Sequence, residues 1–289
     1  MSKRLQTFSV WVVRLLWIAA ALLPNTFGVL HESASDTLTT TLAAQSWVVW
    51  SLVAIATWIL HPVSLTVIRI FAPLLVIRLV VGVPASDYSP LGIAATAAVA
   101  AVMLLAFSAE YGHRHVQAAA YGAEVRHTLR IPTPLVAPTV LGWLVIAGTF
   151  GAAPALLASG NWLIGAPLAI LAALALWRLV PRLHRLARRW FVHVPAGWVI
   201  HDDVILQENL LIKKHAIVAL DRALAGSQAL DLTGFTRGVP LEVMLRDMVD
   251  VRLTPLTARL NETDDALHAK AFLVAPSRPL DVLHSKLPT

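Results

Sequence analysis

Two pairs of glutamate and histidine have the spacing most suggestive of chemistry in this sequence. Glu110-x-x-His113 and Glu124-x-x-His127 each place a carboxylate and an imidazole on one helix face, as in di-metal carboxylate proteins. The pairs are 14 residues apart, so one continuous helix would separate them by about 21 Å. A shared site also needs carboxylates from other helices, and the apolar segments supply none. We therefore predict no metal site and interpret residues 110–130 as a hydrated helix–loop segment.

Other catalytic patterns are missing from the sequence. His201-Asp202-Asp203 has catalytic residue types, but neighbouring residues on a strand point to opposite faces, so a turn is the favoured interpretation. There is no glycine-rich phosphate loop, no Gly-x-Ser-x-Gly elbow and no His-Glu-x-x-His motif. The chain has no cysteine, which excludes thiolate metal sites and cysteine nucleophiles. We predict no catalytic residue, no cofactor and a non-enzymatic protein.

The composition is that of a membrane protein with a soluble tail. Hydrophobic residues make up 57% of the chain and charged residues 14%, where a soluble domain has about a quarter charged residues. The net charge of +6 divides unevenly: residues 1–189 have 13 basic and 5 acidic side chains, and residues 190–289 have 10 and 12. The tail is therefore slightly acidic, which argues against nucleic acid as a partner.

Long apolar segments predict the membrane spans, since a span needs about 20 mostly apolar residues. Pro62, preceded by His61, predicts a tight helical hairpin between the second and third of these segments rather than one very long helix. We count six spans, at residues 8–28, 43–60, 63–83, 91–109, 135–157 and 161–180.

Basic residues in the short loops predict the orientation. The N-terminus, the 110–134 loop and the segment after the sixth span contain Lys and Arg. The first two loops on the other side have only acidic charges, at Glu32, Asp36 and Asp87. This alternation fits six spans and predicts a multi-pass protein of the cell membrane with both termini in the cytoplasm.

Three arginines lie within the predicted spans and are candidate functional residues for that reason. Arg14 and Arg69 are near the cytoplasmic starts of their helices, so we predict that they extend to lipid phosphates. Arg78 is nearer the outer end of its helix. Its side chain could extend to the outer membrane surface or face the helix bundle, and the sequence favours neither alternative. No Asp or Glu lies within a span, which weakens the case for a proton-coupled transporter.

Short strands separated by turn residues are predicted for the tail. They begin with Trp190–Val194, Trp198–His201 and Val204–Leu206, divided by Gly, Pro and Asp. Apolar residues alternating with polar ones predict two more strands, at 239–246 and 249–254.

The end of the chain completes this pattern. A last strand is predicted at Lys270–Val274, followed by a short helix at Pro279–Lys286 with Leu280, Val282 and Leu283 on its inner side. The stretches FVHVPAGWVIHDDVILQENLLIKKHAIVALDRA and AFLVAPSRPLDVLHSKL resemble small pleckstrin-homology-like (PH-like) domains appended to bacterial membrane proteins. The whole chain resembles an uncharacterised family of actinobacterial multi-pass membrane proteins. The resemblance implies a non-catalytic tail used in assembly or binding.

The most basic window, WRLVPRLHRLARRW, lies between the spans and the tail. We predict that Pro181 ends the sixth span and begins a short helix in the cytoplasmic interface. On that helix Arg182, Arg185 and Arg189 would share one face, with Trp190 at headgroup level. Each arginine near the surface would contribute about 1 kcal/mol with anionic lipid headgroups.

These predictions define a polytopic α-helical membrane protein with a small C-terminal β-rich, PH-like cytoplasmic domain. The predicted parts are a transmembrane domain at 1–180, a basic interfacial helix or linker at 181–190 and the β domain at 191–289. The predicted function is that of an adaptor or assembly component whose β domain docks on an unidentified protein partner or the inner leaflet. The alternatives are a component of a small-solute transporter or channel and, with less support, an interfacial enzyme using the Glu/His segment.

Overall fold

The chain folds into two compact units. The computed structural model describes residues 3–23, 35–85, 89–260 and 266–287. The end of the first predicted span, Glu32 and Asp87 lie outside these residues. The helical unit comprises Met1–His115 and Val140–Arg182, and the β unit comprises Val116–Thr139 and Leu183–Thr289.

Apolar helices dominate the first 187 residues. Five of them, α2, α3, α4, α6 and α7, are long and apolar enough to cross a membrane, and the apolar part of α1 is shorter, at Phe8–Leu22. The predicted helical part with helices able to span a membrane is therefore confirmed, while α1 as a sixth span stays a prediction. The helices are α1 Lys3–Leu22, α2 Asp36–Trp58, α3 Pro62–Ala85, α4 Pro90–Phe107, α5 Ala109–Ala118, α6 Thr133–Ala158 and α7 Trp162–Ala187.

The predicted hairpin between α2 and α3 is present. Helix α2 ends at Trp58, Ile59 has extended backbone, and α3 begins at Pro62. Proline suits a first helical position because its missing amide hydrogen would have had no helical partner there. The two helices pack against each other, and each is long enough to span a membrane.

The predicted separate helix that begins at Pro181 is wrong. Helix α7 continues through Pro181 to Ala187 without a break. Arg182 and Arg185 therefore belong to the same helix as the apolar segment and not to a separate interfacial helix. A proline within a helix removes one backbone hydrogen bond, and continuing the helix keeps the neighbouring backbone groups paired.

Helices α1 to α4 surround one apolar core, which tryptophan side chains reinforce. The indole Nε1 groups of Trp17 and Trp50 each donate to the backbone carbonyl of the other residue, at 3.0 and 2.9 Å. Trp143 of α6 donates in the same way to the Ile70 carbonyl of α3, at 3.0 Å. In a segment without water these bonds satisfy the indole groups and fix neighbouring helices.

Two four-stranded sheets form the β unit. The first has the order β1-β2-β3-β4 and is antiparallel. The second has the order β5-β7-β8-β6, with only the β6–β8 pair parallel. The strands are β1 Val125–Thr128, β2 Trp190–Val194, β3 Gly197–His201, β4 Leu210–Lys213, β5 Ile217–Arg222, β6 Leu230–Asp231, β7 Leu241–Arg252 and β8 Ala266–Val274. The short helices α8 Pro255–Leu260 and α9 Pro279–Leu283 complete the unit.

Strand β1 comes from the segment between α5 and α6. It pairs with β2, and the chain after it bonds to the other sheet, where the Arg130 amide donates to the Ala275 carbonyl at 2.8 Å. Residues 116–139 are thus part of the β unit, whereas we predicted a hydrated helix–loop segment at 110–130 and a span that begins at residue 135. The β unit therefore contains more of the chain than the predicted domain at 191–289.

Three details of the predicted tail are wrong. Residues 203–205 form a turn after Asp202, and Leu206 follows with an isolated bridge to Leu253. The two alternating stretches at 239–246 and 249–254 belong mostly to one strand, β7, whose buried residues stay at odd positions on both sides of Asp247 although its register against β8 shifts between Met244 and Val249. Helix α9 is shorter than predicted, and its Leu280 side chain is exposed while Val282 is buried.

Candidate functional site

The structure separates the two Glu-x-x-His pairs. Glu110 and His113 are on α5, but Glu124 lies in the loop before β1 and His127 on β1, so the second pair is not helical. The Glu124 carboxylate pairs with Arg126 at 2.6 Å and accepts from the Tyr121 amide at 2.6 Å. Among the described residues, no group of three or more His, Asp or Glu side chains could hold a metal ion.

Arg14 and Arg69 bind backbone carbonyls at the ends of neighbouring helices. Arg14 Nε donates to the Thr57 carbonyl in the last turn of α2, at 3.1 Å. Arg69 Nε donates to the Ala106 carbonyl in the last turn of α4, at 3.0 Å. Carbonyls at a helix C-terminus lack helical partners and carry partial negative charge, so each guanidinium stabilises a helix end. These contacts differ from the predicted extension to lipid phosphates.

Aromatic rings complete the surroundings of these arginines. The Arg14 guanidinium lies 4.5 Å from the Trp58 ring centroid, and Arg69 lies 5.6 Å from that of Phe107. Arg78, the third predicted residue, is half-buried on α3. It is nine positions from Arg69, which places the two arginines on opposite sides of the helix.

Helix α5 adds two buried polar side chains beside Arg69. Tyr111 and His115 are fully buried, with ring centroids 4.5 Å apart. His115 Nδ1 lies 3.1 Å from the Tyr111 carbonyl oxygen. Because a carbonyl only accepts, Nδ1 has the hydrogen and Nε2 the lone pair. Neither the Tyr111 hydroxyl nor His115 Nε2 has a hydrogen-bond partner among the described residues.

Burial determines the protonation of this pair. Desolvation lowers the pKa of His115 to about 4, the hydrogen bond to the Tyr111 backbone opposes this shift, and Arg69, Arg14 and His61 add to it. The imidazole is therefore neutral at pH 7. Burial raises the pKa of the Tyr111 phenol, and the two arginines partly offset that rise. Sequence reasoning missed this pair, whose one signal is two polar residues four positions apart on a predicted helix.

Arg189 and Trp190 are buried, which contradicts their predicted contact with lipid. Arg189 forms a two-pronged pair with the Asp202 carboxylate, with Nε–Oδ distances of 2.9 Å and an Nη2–Oδ2 distance of 2.7 Å. Both side chains are almost inaccessible, at 1% and 0% exposure. Its Nη1 donates to the Arg130 carbonyl. The Trp190 indole donates to the Ala187 carbonyl at 2.9 Å and lies against Arg126.

The predicted turn at His201-Asp202-Asp203 is confirmed. Asp202 Oδ1 accepts from the Val204 and Ile205 amides at 3.1 and 3.3 Å, so the carboxylate closes the turn and binds Arg189. The remaining predicted lipid-binding residues, Arg182 and Arg185, are exposed near the end of α7.

Two histidines of the first sheet, on β1 and β2, contact the same serine, which follows α9. Ser285 Oγ lies 3.0 Å from His193 Nδ1 and 3.3 Å from His127 Nε2. The His193 ring stacks on Trp198 at 4.4 Å. Burial lowers the pKa of His193, and Lys214 adds to the effect. The hydroxyl and the imidazoles satisfy one another, which is the behaviour of a packed polar contact.

An open groove of about 540 Å³ lies in the helical unit. Apolar side chains of α6 and α7, among them Phe150, Leu157, Trp162 and Leu176, form most of its wall, and Thr41 is its one hydroxyl residue. None of the described residues that line the groove is ionisable, so these residues offer no acid–base chemistry.

Comparison with known proteins adds no family to these observations. No protein-family model, curated protein or solved structure matches the chain.

Proposed function

We propose that the protein is a non-enzymatic adaptor or assembly component of the cell membrane, whose β unit binds a protein partner. The observation that supports this proposal best is that the β unit is assembled from two chain segments that are distant in sequence. The unit includes the first turns of α6 and the last residues of α7. A buried ion pair, Arg189 with Asp202, and the bond to the Arg130 carbonyl connect these two chain segments. A β unit that is held together in this way can present a stable binding face to a partner.

The outer face of β7 is the surface that we assign to the partner. Met248 is 67% exposed, and Met244 and Arg246 of the same strand are also exposed. Val218 on the adjacent strand β5 adds another exposed apolar side chain. Methionine adapts to different partner shapes, and Met and Arg are enriched in protein interfaces.

The membrane topology is part of the proposal. We propose that α1 is a sixth span, that both termini are cytoplasmic and that the β unit is a PH-like domain. Support comes from the Lys and Arg in alternate loops and from short strands followed by a C-terminal helix. The chain has no cysteine, so an impermeant thiol reagent tests the topology on intact cells. Ser159→Cys is expected to react and Lys214→Cys is not; the reverse result would overturn the orientation.

Photo-crosslinking in native membranes tests the adaptor function. A photoreactive residue at Arg246 of the full chain is expected to give a discrete crosslinked protein product. Adding Met248→Lys is expected to abolish that product, because a charge at the centre of an apolar contact is costly to desolvate.

The matched control is Leu280→Lys, which adds the same charge to another exposed apolar position of the β unit. This variant is expected to keep the product. The proposal fails if no discrete product forms, or if both lysine variants have the same effect.

The transporter or channel alternative has less support. Arg14 and Arg69 are engaged by helix-end carbonyls, and the described groove has an apolar lining. Polar groups that orient a solute are the expected feature of such a site.

A further inference from the structure

The loop at residues 231–239 of the β unit has an unusual conformation. Phe235 has φ of 60°, a left-handed conformation that is rare for a bulky non-glycine residue. The Asp231 carboxylate fixes it by accepting from the Thr233 amide at 2.6 Å and the Phe235 amide at 3.1 Å. Persistent backbone strain of this kind is typical of functional sites.

The strained loop exposes apolar side chains. Phe235 is 55% exposed and Val239 is 60% exposed. Arg237, between them, is also exposed. Leu224 is exposed as well. It lies beside this loop, since the amide of the preceding residue, Ala223, donates to the Pro240 carbonyl at 3.0 Å. Exposed aromatic and aliphatic groups beside an arginine are the composition of a membrane-interface contact.

Direct contacts hold this loop against the chain that leads into α6. The Arg130 guanidinium donates to the carbonyls of Arg237 and Val239, at 2.6 and 3.0 Å. A Cβ placed on Gly234 would lie 2.8 Å from Pro132 Cβ, so the loop and residue 132 are in close contact. All of these residues belong to the β unit.

Helix α6 begins at Thr133, the next residue, and is long and apolar enough to span a membrane. The end of a spanning helix lies at the membrane surface. A loop packed on residues 130–132 is therefore within side-chain reach of that surface. We propose that the 231–239 loop is a membrane anchor, with Phe235 and Val239 inserted among the lipids and Arg237 at the anionic headgroups of the same leaflet.

This inference depends on the proposed membrane placement of α6, and its test separates the two. The full Cys-free chain is reconstituted in vesicles of phosphatidylcholine and phosphatidylglycerol. Single cysteines at Phe235, Val239, Met248 and Leu144 are labelled in turn with an environment-sensitive fluorophore. Nitroxide-bearing lipids then measure proximity to the bilayer, and iodide measures exposure to water.

We expect labels at positions 235 and 239 to be quenched by nitroxide lipid about threefold more than the label at 248, since interfacial side chains lie at the headgroup–acyl boundary. Arg237→Gln is expected to reduce the dependence of that quenching on phosphatidylglycerol. If the label at 144 is quenched by nitroxide lipid but the labels at 235 and 239 behave like the label at 248, the proposed anchor is wrong, and the proposed membrane placement of α6 is supported. If the label at 144 is not lipid-quenched, the membrane placement itself fails.

Protection of positions 235 and 239 in cells, without lipid quenching in pure vesicles, would also overturn the anchor, because it would indicate a protein occupant. Two label positions are used because Phe235→Cys changes a strained residue, whereas Val239→Cys leaves that residue in place. Neither substitution touches the exposed face of β7 assigned to the partner.

Discussion

The helical unit and the β unit bury arginine side chains in different ways. In the helical unit, Arg14 and Arg69 each donate to one backbone carbonyl in the last turn of a neighbouring helix. In the β unit, Arg189 binds a buried carboxylate, Asp202, in two-pronged geometry and also a backbone carbonyl. At Arg14 and Arg69 a helix end supplies the negative partial charge that a carboxylate supplies at Arg189.

The difference predicts how strongly each unit depends on its arginines. A buried ion pair loses the most when one partner is removed, because the other charge stays buried without compensation. A guanidinium on a carbonyl leaves only a neutral acceptor behind when it is removed. The β unit is therefore expected to be the more sensitive of the two.

The largest effect is expected for Asp202→Asn. Leaving Arg189 buried without a counter-charge is expected to cost about 3–5 kcal/mol of folding free energy. Thermal unfolding of the detergent-solubilised chain and limited proteolysis near residues 189–206 measure the loss. The double variant Arg189→Met/Asp202→Leu is expected to recover much of it, because no unpaired charge remains. A loss below about 1 kcal/mol for Asp202→Asn would show that the ion pair does not stabilise the β unit as a buried pair should.

A pH dependence is expected from His115. Its pKa in the folded chain is about 4, against 6.5 for the free side chain. As the pH falls, the unfolded chain binds a proton at His115 before the folded chain does. The free energy of unfolding is therefore unaffected by His115 above pH 6.5 and decreases as the pH drops towards 4, by up to about 3 kcal/mol.

Melting temperatures measured between pH 8 and pH 4.5 test this prediction, with His115→Gln as the comparison. The variant is expected to lose less stability across that window than the natural chain, whatever its stability at pH 8. Equal slopes would mean that His115 is not the titrating group.

A smaller effect is expected for Arg69→Gln. Loss of the charged hydrogen bond to the Ala106 carbonyl is expected to cost about 1–3 kcal/mol. Hydrogen exchange of the last turn of α4 localises the change. Arg178→Gln is the matched control, because Arg178 is exposed and lies over Trp177; its expected effect is within about 0.5 kcal/mol. Equal losses for both variants would remove the helix-end role of Arg69.

The smallest effect is expected at Arg188, the immediate neighbour of Arg189. Arg188 pairs with Asp203 at 3.8 Å, and both side chains are about two-fifths exposed, at 42% and 41%. Water screens such a pair, so Arg188→Ala is expected to cost less than about 1 kcal/mol. The same thermal unfolding assay compares it with Asp202→Asn. A cost as large as that of Asp202→Asn would show that burial does not separate these two adjacent pairs.

Sequence reasoning predicted the elements whose signal is local. The apolar segments predicted the five long helices, and Pro62 predicted the break between α2 and α3. Strands β2 and β3 were predicted by turn residues around apolar runs. The helix break predicted at Pro181 is wrong, because one proline inside a long apolar helix removes one hydrogen bond without ending the helix.

The candidate sites were less predictable because they depend on distant partners. Arg189 in isolation looks like one more member of a basic interfacial face, and only the fold brings Asp202, 13 residues later, against it. Strand β1 was missed because Val125–Thr128 is short, and its pairing partner β2 begins more than 60 residues further along. Short strands are stabilised by such pairing and not by their own propensity.

The sequence by itself determined that this protein has an apolar helical part and a β-rich C-terminal region, because hydropathy and the alternation of apolar and polar residues are local properties of the sequence. Only the tertiary structure decided which charges are buried and what neutralises them. It paired Arg189 with Asp202, set Arg14 and Arg69 on helix ends and fastened the 231–239 loop to the start of α6. The physical reason is that a buried charge needs a partner within a few ångströms, and the chain supplies such partners from positions that are distant in sequence.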